Sequence, residues 1–356
     1  MSVPETIGRP MVLPRGPLVA AAGRSVPALV VGEAGEDDLR LARTLLAAIL
    51  AAAPPSAAGL DWAVAVFRTS KGALVMVNTA EGRGWLPPGL FLPMAVTTVW
   101  RWPVIARQPG DELIAPLEGV ADPARALAEF GLLGMRTGRG RISALVSSAG
   151  IPHTVRAGLG NEVLIEDRVE AVPSAIDLSS PAAGLVDRLA VAGLEKLQVR
   201  ADTAEKSGWA TCLELARDAE TRIRSLVADA DGDSSGYHEL RRRILDALHA
   251  GEQVPERWWG QLRDADAMLA AVTRGRRMDV SDSPLGVRVD PPGADALRTL
   301  VFERRIGELS LLLAAGEPTA QTLRDALYTY GQIVEHPLLR GVRRVDGLVR
   351  TGVSDG

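Results

Sequence analysis

The chain has 356 residues, 47% hydrophobic, 24% charged and 4% aromatic, with a formal net charge of −4 at pH 7. Those proportions exclude wholesale disorder, and a negative balance supplies no field for a polyanion, which argues against general nucleic-acid affinity. The length exceeds what one ordinary core serves and predicts two domains.

Residues 1 to 27 carry prolines and glycines without a period and read as an extended arm, and Val26 to Val31 reads as a first short strand. Asp37 to Ala53 follows with Leu39, Ala42, Leu46, Ile49 and Ala53 at steps of three and four, an amphipathic helix stopped by Pro54 and Pro55. The clearest pattern comes next. Trp62 to Phe67 and Ala73 to Val77 are apolar runs around Arg68-Thr69-Ser70-Lys71-Gly72, which predicts an antiparallel hairpin with a loop of three to five residues. Leu86-Pro87-Pro88-Gly89 cannot continue a central strand, because proline gives no N–H to a ladder, so a rigid loop is expected before a third strand at Ala95 to Trp100. Trp62 and Trp100 are expected to face the core, leaving the loop from Gly84 to Pro93 as the candidate surface. Val104 to Leu117 reads as a further irregular strand, and Asp122-Pro123 as N-cap and first helical residue of a short helix ending near Gly134. Ile142 to Val146 and Glu162 to Arg168 fit strand or helix equally well.

Residues 173 to 181 read as a linker, because long helical periods begin on its far side. Helices are expected at Pro181 to Val199, Thr203 to Ala228, Tyr237 to Ala250, Arg257 to Thr273, Ala294 to Ala315 and Thr319 to Val334, with a further amphipathic stretch at Leu338 to Val349. Leu240, Ile244 and Leu248 share a face; so do Leu262, Ala265, Leu269 and Val272, then Phe302, Ile306, Leu309 and Leu313, then Leu323, Leu327, Tyr330 and Val334. Gly251, Gly275 and Gly316 stand where a helix wants a left-handed C′ residue. Such helices need one another to be stable and predict a bundle. The expected class is therefore α+β: an arm at 1–27, a domain at 28–172 with a small, mostly antiparallel sheet and flanking helices, a linker at 173–181, and an all-α bundle at 182–356.

Motifs that would name a reaction are missing. A single cysteine, Cys212, excludes an intrachain disulfide and a multi-cysteine metal site, and its helical spacing with Leu215, Ala219 and Ile223 makes it a small buried hydrophobe. Asp229, Asp231, Asp233 and Glu239 fail the spacing of a calcium loop and read as an acidic connection. His153, His238, His249 and His336 are far apart. Gly138-Arg139-Gly140-Arg141 is too short to cradle phosphate and reads as a basic turn, and Arg241-Arg242-Arg243 as a solvated face. The longest apolar run, Leu45 to Ala53, is about half of the ~20 residues a membrane helix needs. Prolines and Arg15 interrupt Met11 to Ala22 before a signal-peptide core forms. No catalytic residue, cofactor or metal site is expected.

Trp258-Trp259-Gly260 contains the Trp-x-Gly triplet that small, type VII-secreted helical hairpins use at their turn. Their companion signal, a tyrosine with an acid four residues on, is absent: Tyr237, Tyr328 and Tyr330 are followed there by Arg241, Gln332 and Val334. The stretch from Asn78 to Gly89, with Pro93, Trp100 and Asp122-Pro123-Ala124-Arg125, resembles the N-terminal domain of uncharacterised actinobacterial, chiefly mycobacterial, proteins in which a strand-rich domain precedes a helical one. The resemblance spans roughly residues 28 to 135, supplies no catalytic residues, and implies an association with type VII secretion loci.

The first expectation is a non-enzymatic protein–protein interaction or adaptor protein, cytoplasmic or exported by a non-Sec route, with no membrane span. Its protein partner would dock on Trp85, Leu86, Pro87, Pro88, Leu90 and Phe91, or beside Trp258 and Trp259, since large aromatics next to rigid prolines suit a partner surface. The alternatives are an enzyme with a cleft between the two domains and a homo-oligomer assembled through the helices.

Overall fold

The computed structural model describes residues 35–99, 122–174, 176–203, 208–227, 235–276, 279–289, 292–316, 319–336 and 339. The N-terminal arm, Val26 to Val31, Trp100, Val104 to Leu117, the acidic connection at Asp229 to Asp233 and, apart from Leu339, the C-terminal tail lie outside them.

Helix α1 (Gly35–Ala52) ends where Pro54 and Pro55 remove two backbone donors, in a short 3-10 turn. Strands β1 (Trp62–Thr69) and β2 (Gly72–Thr79) form the expected antiparallel hairpin. Its loop is tighter than expected, because Thr69 still pairs with Gly72. The Thr69 side chain closes it, accepting from Lys71 N and donating to Gly72 O. After β2 come β3 (Leu92–Pro93), β4 (Val96–Thr98), α2 (Pro123–Arg136), β5 (Arg141–Ser147), α3 (His153–Leu159) and β6 (Leu164–Glu166). Asp122 caps α2, accepting from Ala124 N at 2.7 Å, with Pro123 at the first helical position.

The main sheet runs β4-β2-β1-β5-β6. It is mixed, which corrects the expectation of a mostly antiparallel sheet: β1 is antiparallel to β2 and β5, while β2–β4 and β5–β6 are parallel. The parallel pairs arise because a long loop follows β2 and a helix follows β5, and such crossovers return the chain in its original direction. Central strand β1 is buried on both faces, which explains its uninterrupted apolar run. Trp62, Val64 and Val66 turn to the face covered by α1. Ala63, Ala65 and Phe67 turn to α2 and α3, where small alanines let α2 approach and Phe67 meets Phe130 edge-to-face at 5.3 Å.

Strand β7 (Leu185–Val186) leads into α4 (Arg188–Ala192), α5 (Glu195–Thr203), α6 (Gly208–Val227), α7 (Ser235–His249), α8 (Glu256–Gly275), α9 (Ala294–Leu311) with a 3-10 extension, and α10 (Ala320–Val334). Gly193, left-handed at φ 66°, separates α4 from α5 where one helix was expected. Gly251 and Gly316 have positive φ just past α7 and the α9 extension, as expected, whereas Gly275 is the last helical residue of α8. Helix α9 is the hub, packing on α6, α8 and α10. The seam on α9 is buried and that on α10 is buried at Leu323 and Leu327 and half-covered at Tyr330 and Val334, but α8 buries only the start of its seam: Leu262 is inside, Ala265 and Leu269 are half-covered and Val272 is exposed.

The sheet and the helices share one apolar core. It runs from α1 and the Trp62 face of the sheet through Trp85, Leu86, Leu90 and Leu92 into Leu189, Phe302, Ile306 and Tyr328. The segment read as a linker is tied into that core: Leu178 is buried and its carbonyl accepts from Phe91 N at 2.8 Å, and β7 pairs antiparallel with β3. No helix among the described residues is long and apolar enough to cross a membrane.

Candidate functional site

The loop from Ala80 to Phe91 is built by backbone conformation. Gly82, Arg83 and Gly84 all have positive φ, at 81°, 49° and 61°. At Gly84 a Cβ would collide with the Thr98 side chain, so glycine is required by both space and angle. This run of left-handed residues turns the chain inward at the end of β2, and Thr79 Oγ1 locks it by donating to Trp85 O at 2.8 Å.

The loop therefore enters the protein instead of facing solvent, which corrects the expected surface. Trp85 is 3% exposed; Leu86, Pro87, Leu90 and Phe91 are buried, Pro88 is half-buried, and only Gly89 is exposed. Trp85 donates from Nε1 to Glu308 Oε2 at 2.8 Å, and the Arg305 guanidinium lies over its ring at 4.3 Å. Leu86 N donates to the Tyr328 hydroxyl at 2.9 Å, and Leu86 O accepts from Arg188 at 3.0 Å. An aromatic with one polar edge beside backbone groups stranded by two prolines suits a partner surface, and here α9 and α10 of the same chain are that partner. Trp259 is buried, and Trp258 is half-buried beneath Arg243, whose guanidinium sits 4.6 Å from its ring centre.

Around this loop lies a buried ionic network that the sequence did not announce. Glu81 pairs with Arg304 and Arg305, Arg305 with Glu308 at 2.8 Å, Glu308 with Arg188, and Arg188 with Asp325 at 2.6 Å. Arg188 also covers the Tyr328 ring at 4.7 Å. Burial alone would raise the Glu308 carboxyl; Arg188 and Arg305 outweigh it and hold the group down to about 2. Asp325, beside the same arginine, is raised because burial dominates there. A second group stands between α6, α7 and α9. Arg241, fully buried and so not the solvated face expected, donates to Glu220 at 2.8 Å and Glu303 at 3.0 Å. His238 Nε2 lies 2.8 Å from Glu303. Burial lowers the His238 pKa, but Glu220 and Glu303 prevail and raise it to about 9.

Chemically these groups neutralise one another. Each carboxylate of the first network faces an arginine, and the Cys212 thiol is pushed up to about 11 by burial. Among the described residues no three His, Cys, Asp or Glu side chains stand where a metal ion would be held. The junction of sheet and helices, where an interdomain cleft would lie, is filled by Trp85, Leu86, Arg188 and Tyr328.

An open groove lies elsewhere, at the edge of the sheet. Its volume is about 770 Å³, and α1 forms one wall with Leu39, Arg40, Arg43 and Ala47. Leu164 and Glu166 of β6 and the segment Val172 to Ser174 form the other. Val172 is 56% exposed there, although its backbone is fixed by a bond from its N–H to Ala47 O at 3.3 Å. Strand β6 pairs with β5 on one side and has no neighbour on the other among the described residues. The sequence pointed to none of these as site residues: Leu39 was read only as part of the apolar stripe of α1, and Glu162 to Arg168 carries no decisive period, its place at a sheet edge being a tertiary fact. Comparison with protein-family models and with curated proteins finds no match to the chain.

Proposed function

We propose that this chain is a non-enzymatic protein–protein interaction or adaptor protein, and that its docking surface is the groove between α1 and the outer edge of β6. The observation that carries this reading is the groove itself: an open cleft beside a sheet edge that has no neighbour among the described residues, lined by Leu39, Ala47, Leu164 and Val172 together with Arg40 and Arg43. A protein segment in extended form meets both needs, its main chain bonding to β6 and alternate side chains entering the cleft. The packed junction and the mutually neutralised interior favour binding over catalysis. The resemblance of residues 28 to 135 to actinobacterial proteins supplies the context: an α+β half followed by an all-α bundle, acting in the cytoplasm with a partner from a type VII secretion locus.

The test is site-specific photo-crosslinking in cells that make the protein, with the reactive group at Arg40 or, separately, at Val172. A discrete adduct with another protein from both sites, and none from the far-side position Met135, is expected. Absence of an adduct from either groove site rejects this placement.

Self-association through the helices is the second reading. It is favoured by the uncovered part of α8, where Met268 is 70% exposed next to Leu269 and Val272. Light scattering on the full chain that returns a monomer at high concentration removes it.

A further inference from the structure

Helix α8 is lightly held. Of its 20 residues only Trp259, Leu262 and Thr273 are buried, and it packs on α9 and, less closely, on α7. Midway along that inward stripe, at the helical spacing 259, 262, 266 and 273, the sequence places a carboxylate, Asp266, where an apolar side chain would be the ordinary choice. Its Oδ1 is closed off from solvent and accepts no hydrogen bond among the described residues. Arg304 Nε, equally closed off and unbonded, is 3.8 Å away, beyond hydrogen-bond reach, because the Arg304 guanidinium turns to Glu81. The neighbouring carboxylates of Glu81, Glu308, Glu220 and Glu303 all accept from arginines; Asp266 is the exception. Tyr237 Oη of α7 is a third buried polar atom without a bond, and it stands on the same side of α9: a Cβ on Gly307 would collide with that hydroxyl and lie 3.5 Å from Asp266 Oδ1.

An ionised carboxylate with a sealed oxygen and no donor is costly, whereas the protonated acid carries its own donor, for which Tyr237 Oη is an acceptor. Burial accordingly raises the Asp266 carboxyl, against Arg304 and Arg305, with Glu308 and Glu81 assisting the rise. These charges face it from α9 and from the loop after β2. From α7 comes Tyr237, pushed up to about 12 by burial and therefore an uncharged hydroxyl, while His238 and Arg241 of the same helix are engaged with Glu220 and Glu303. On α8 itself Arg263 is held by Glu256 at 2.6 Å.

We propose that Asp266 is a proton-operated latch: with the proton on, its carboxyl bonds Tyr237 and holds α8 against α7 and α9, and with the proton off α8 is released, so that the bundle loosens at this helix as pH rises. The latch is independent of the groove beside β6. With α8 released, the carboxyl returns to its ordinary value of 3.8; the held form lies higher, so the hold is complete below 3.8 and is lost as pH rises through the held value. Glu308, held at about 2 against its ordinary 4.5, acts at lower pH, and His238 acts from 6.5 upward, which leaves pH 4.5 to 6.5 as the range in which α8 reports Asp266.

The experiment follows hydrogen exchange at residues 259–273 in the full chain at pH 4.5 and 6.5, expressed as protection relative to the unfolded chain, with circular dichroism confirming the fold. The wild type is expected to lose about five-fold or more of its α8 protection between the two, while residues 301–306 of α9 change less. Asp266→Asn, uncharged at both, is expected to show no such loss and to exceed the wild type at pH 6.5. Tyr237→Phe, which removes the acceptor, is expected to lower α8 protection at pH 4.5 and to leave it unchanged at pH 6.5. Equal wild-type protection at the two pH values, the same loss in Asp266→Asn, or a Tyr237→Phe chain that matches the wild type at pH 4.5 overturns the proposal. So does an Asp266→Asn chain that is less protected than the wild type at pH 6.5 or does not fold, because the ionised form would then be the one that holds the helix.

Discussion

Trp85 shows how one side chain is held by chemistry of three kinds: its area is buried, its N–H satisfies Glu308, and its ring face meets Arg305. Trp85→Phe keeps most of the area and the ring but withdraws the donor from a buried carboxylate, which costs about 1–3 kcal/mol. Urea unfolding is expected to show that loss with an unchanged m-value. Trp85→Ala is expected to cost more, about 3–5 kcal/mol, because it adds a cavity. His238 gives a pH test. Its folded pKa, about 9, lies above the ordinary 6.5, so its contribution is complete below pH 6.5 and is lost as pH rises through 9. Stability measured between pH 6.5 and 9 is expected to decline in the wild type and to decline less in His238→Gln; parallel curves would exclude this role.

At the scale of elements, α9 is buried on nearly every side from Val301 to Ile306, and at Gly307 a Cβ would collide with the Tyr237 hydroxyl of α7. Alanine is the better helix former by about 1 kcal/mol, so Gly307→Ala would stabilise an open helix. Here it is expected to destabilise, and Tyr237→Phe in the same chain is expected to recover part of the loss, as thermal unfolding of the single and double variants will show. Most elements were legible in the sequence. The hairpin, α1, the capped start of α2 and the helices from α6 to α10 all follow from periodicity, proline and caps. Strands β5 and β6 were not, because runs this short suit either structure until a neighbour is supplied. The charge network was equally hidden: Glu303, Arg304, Arg305 and Glu308 have the three- and four-residue spacings of a solvated helix face, and only the packing of α6, α8 and α10 around α9 makes them interior.

For the whole molecule, the consequence of a shared core is cooperative unfolding. Tryptophan fluorescence, which senses Trp62 in the sheet and Trp85 and Trp259 among the helices, is expected to follow the same urea transition as far-UV circular dichroism, dominated by the helices. Two separated transitions would mean that the ties through β3–β7, Arg188 and Trp85 do not couple the halves. The sequence by itself determined the α+β class, most helix boundaries, the central hairpin and the burial of Cys212, because these depend on local period, turn chemistry and composition. The tertiary structure decided which way the Trp85 loop faces, that Arg241 and Glu308 are interior, that the sheet is mixed, and that a groove opens beside β6. Each of these depends on which distant segment arrives next to a residue, and the free energy of burying a tryptophan or pairing a charge is set by that neighbour rather than by the residue's own place in the chain.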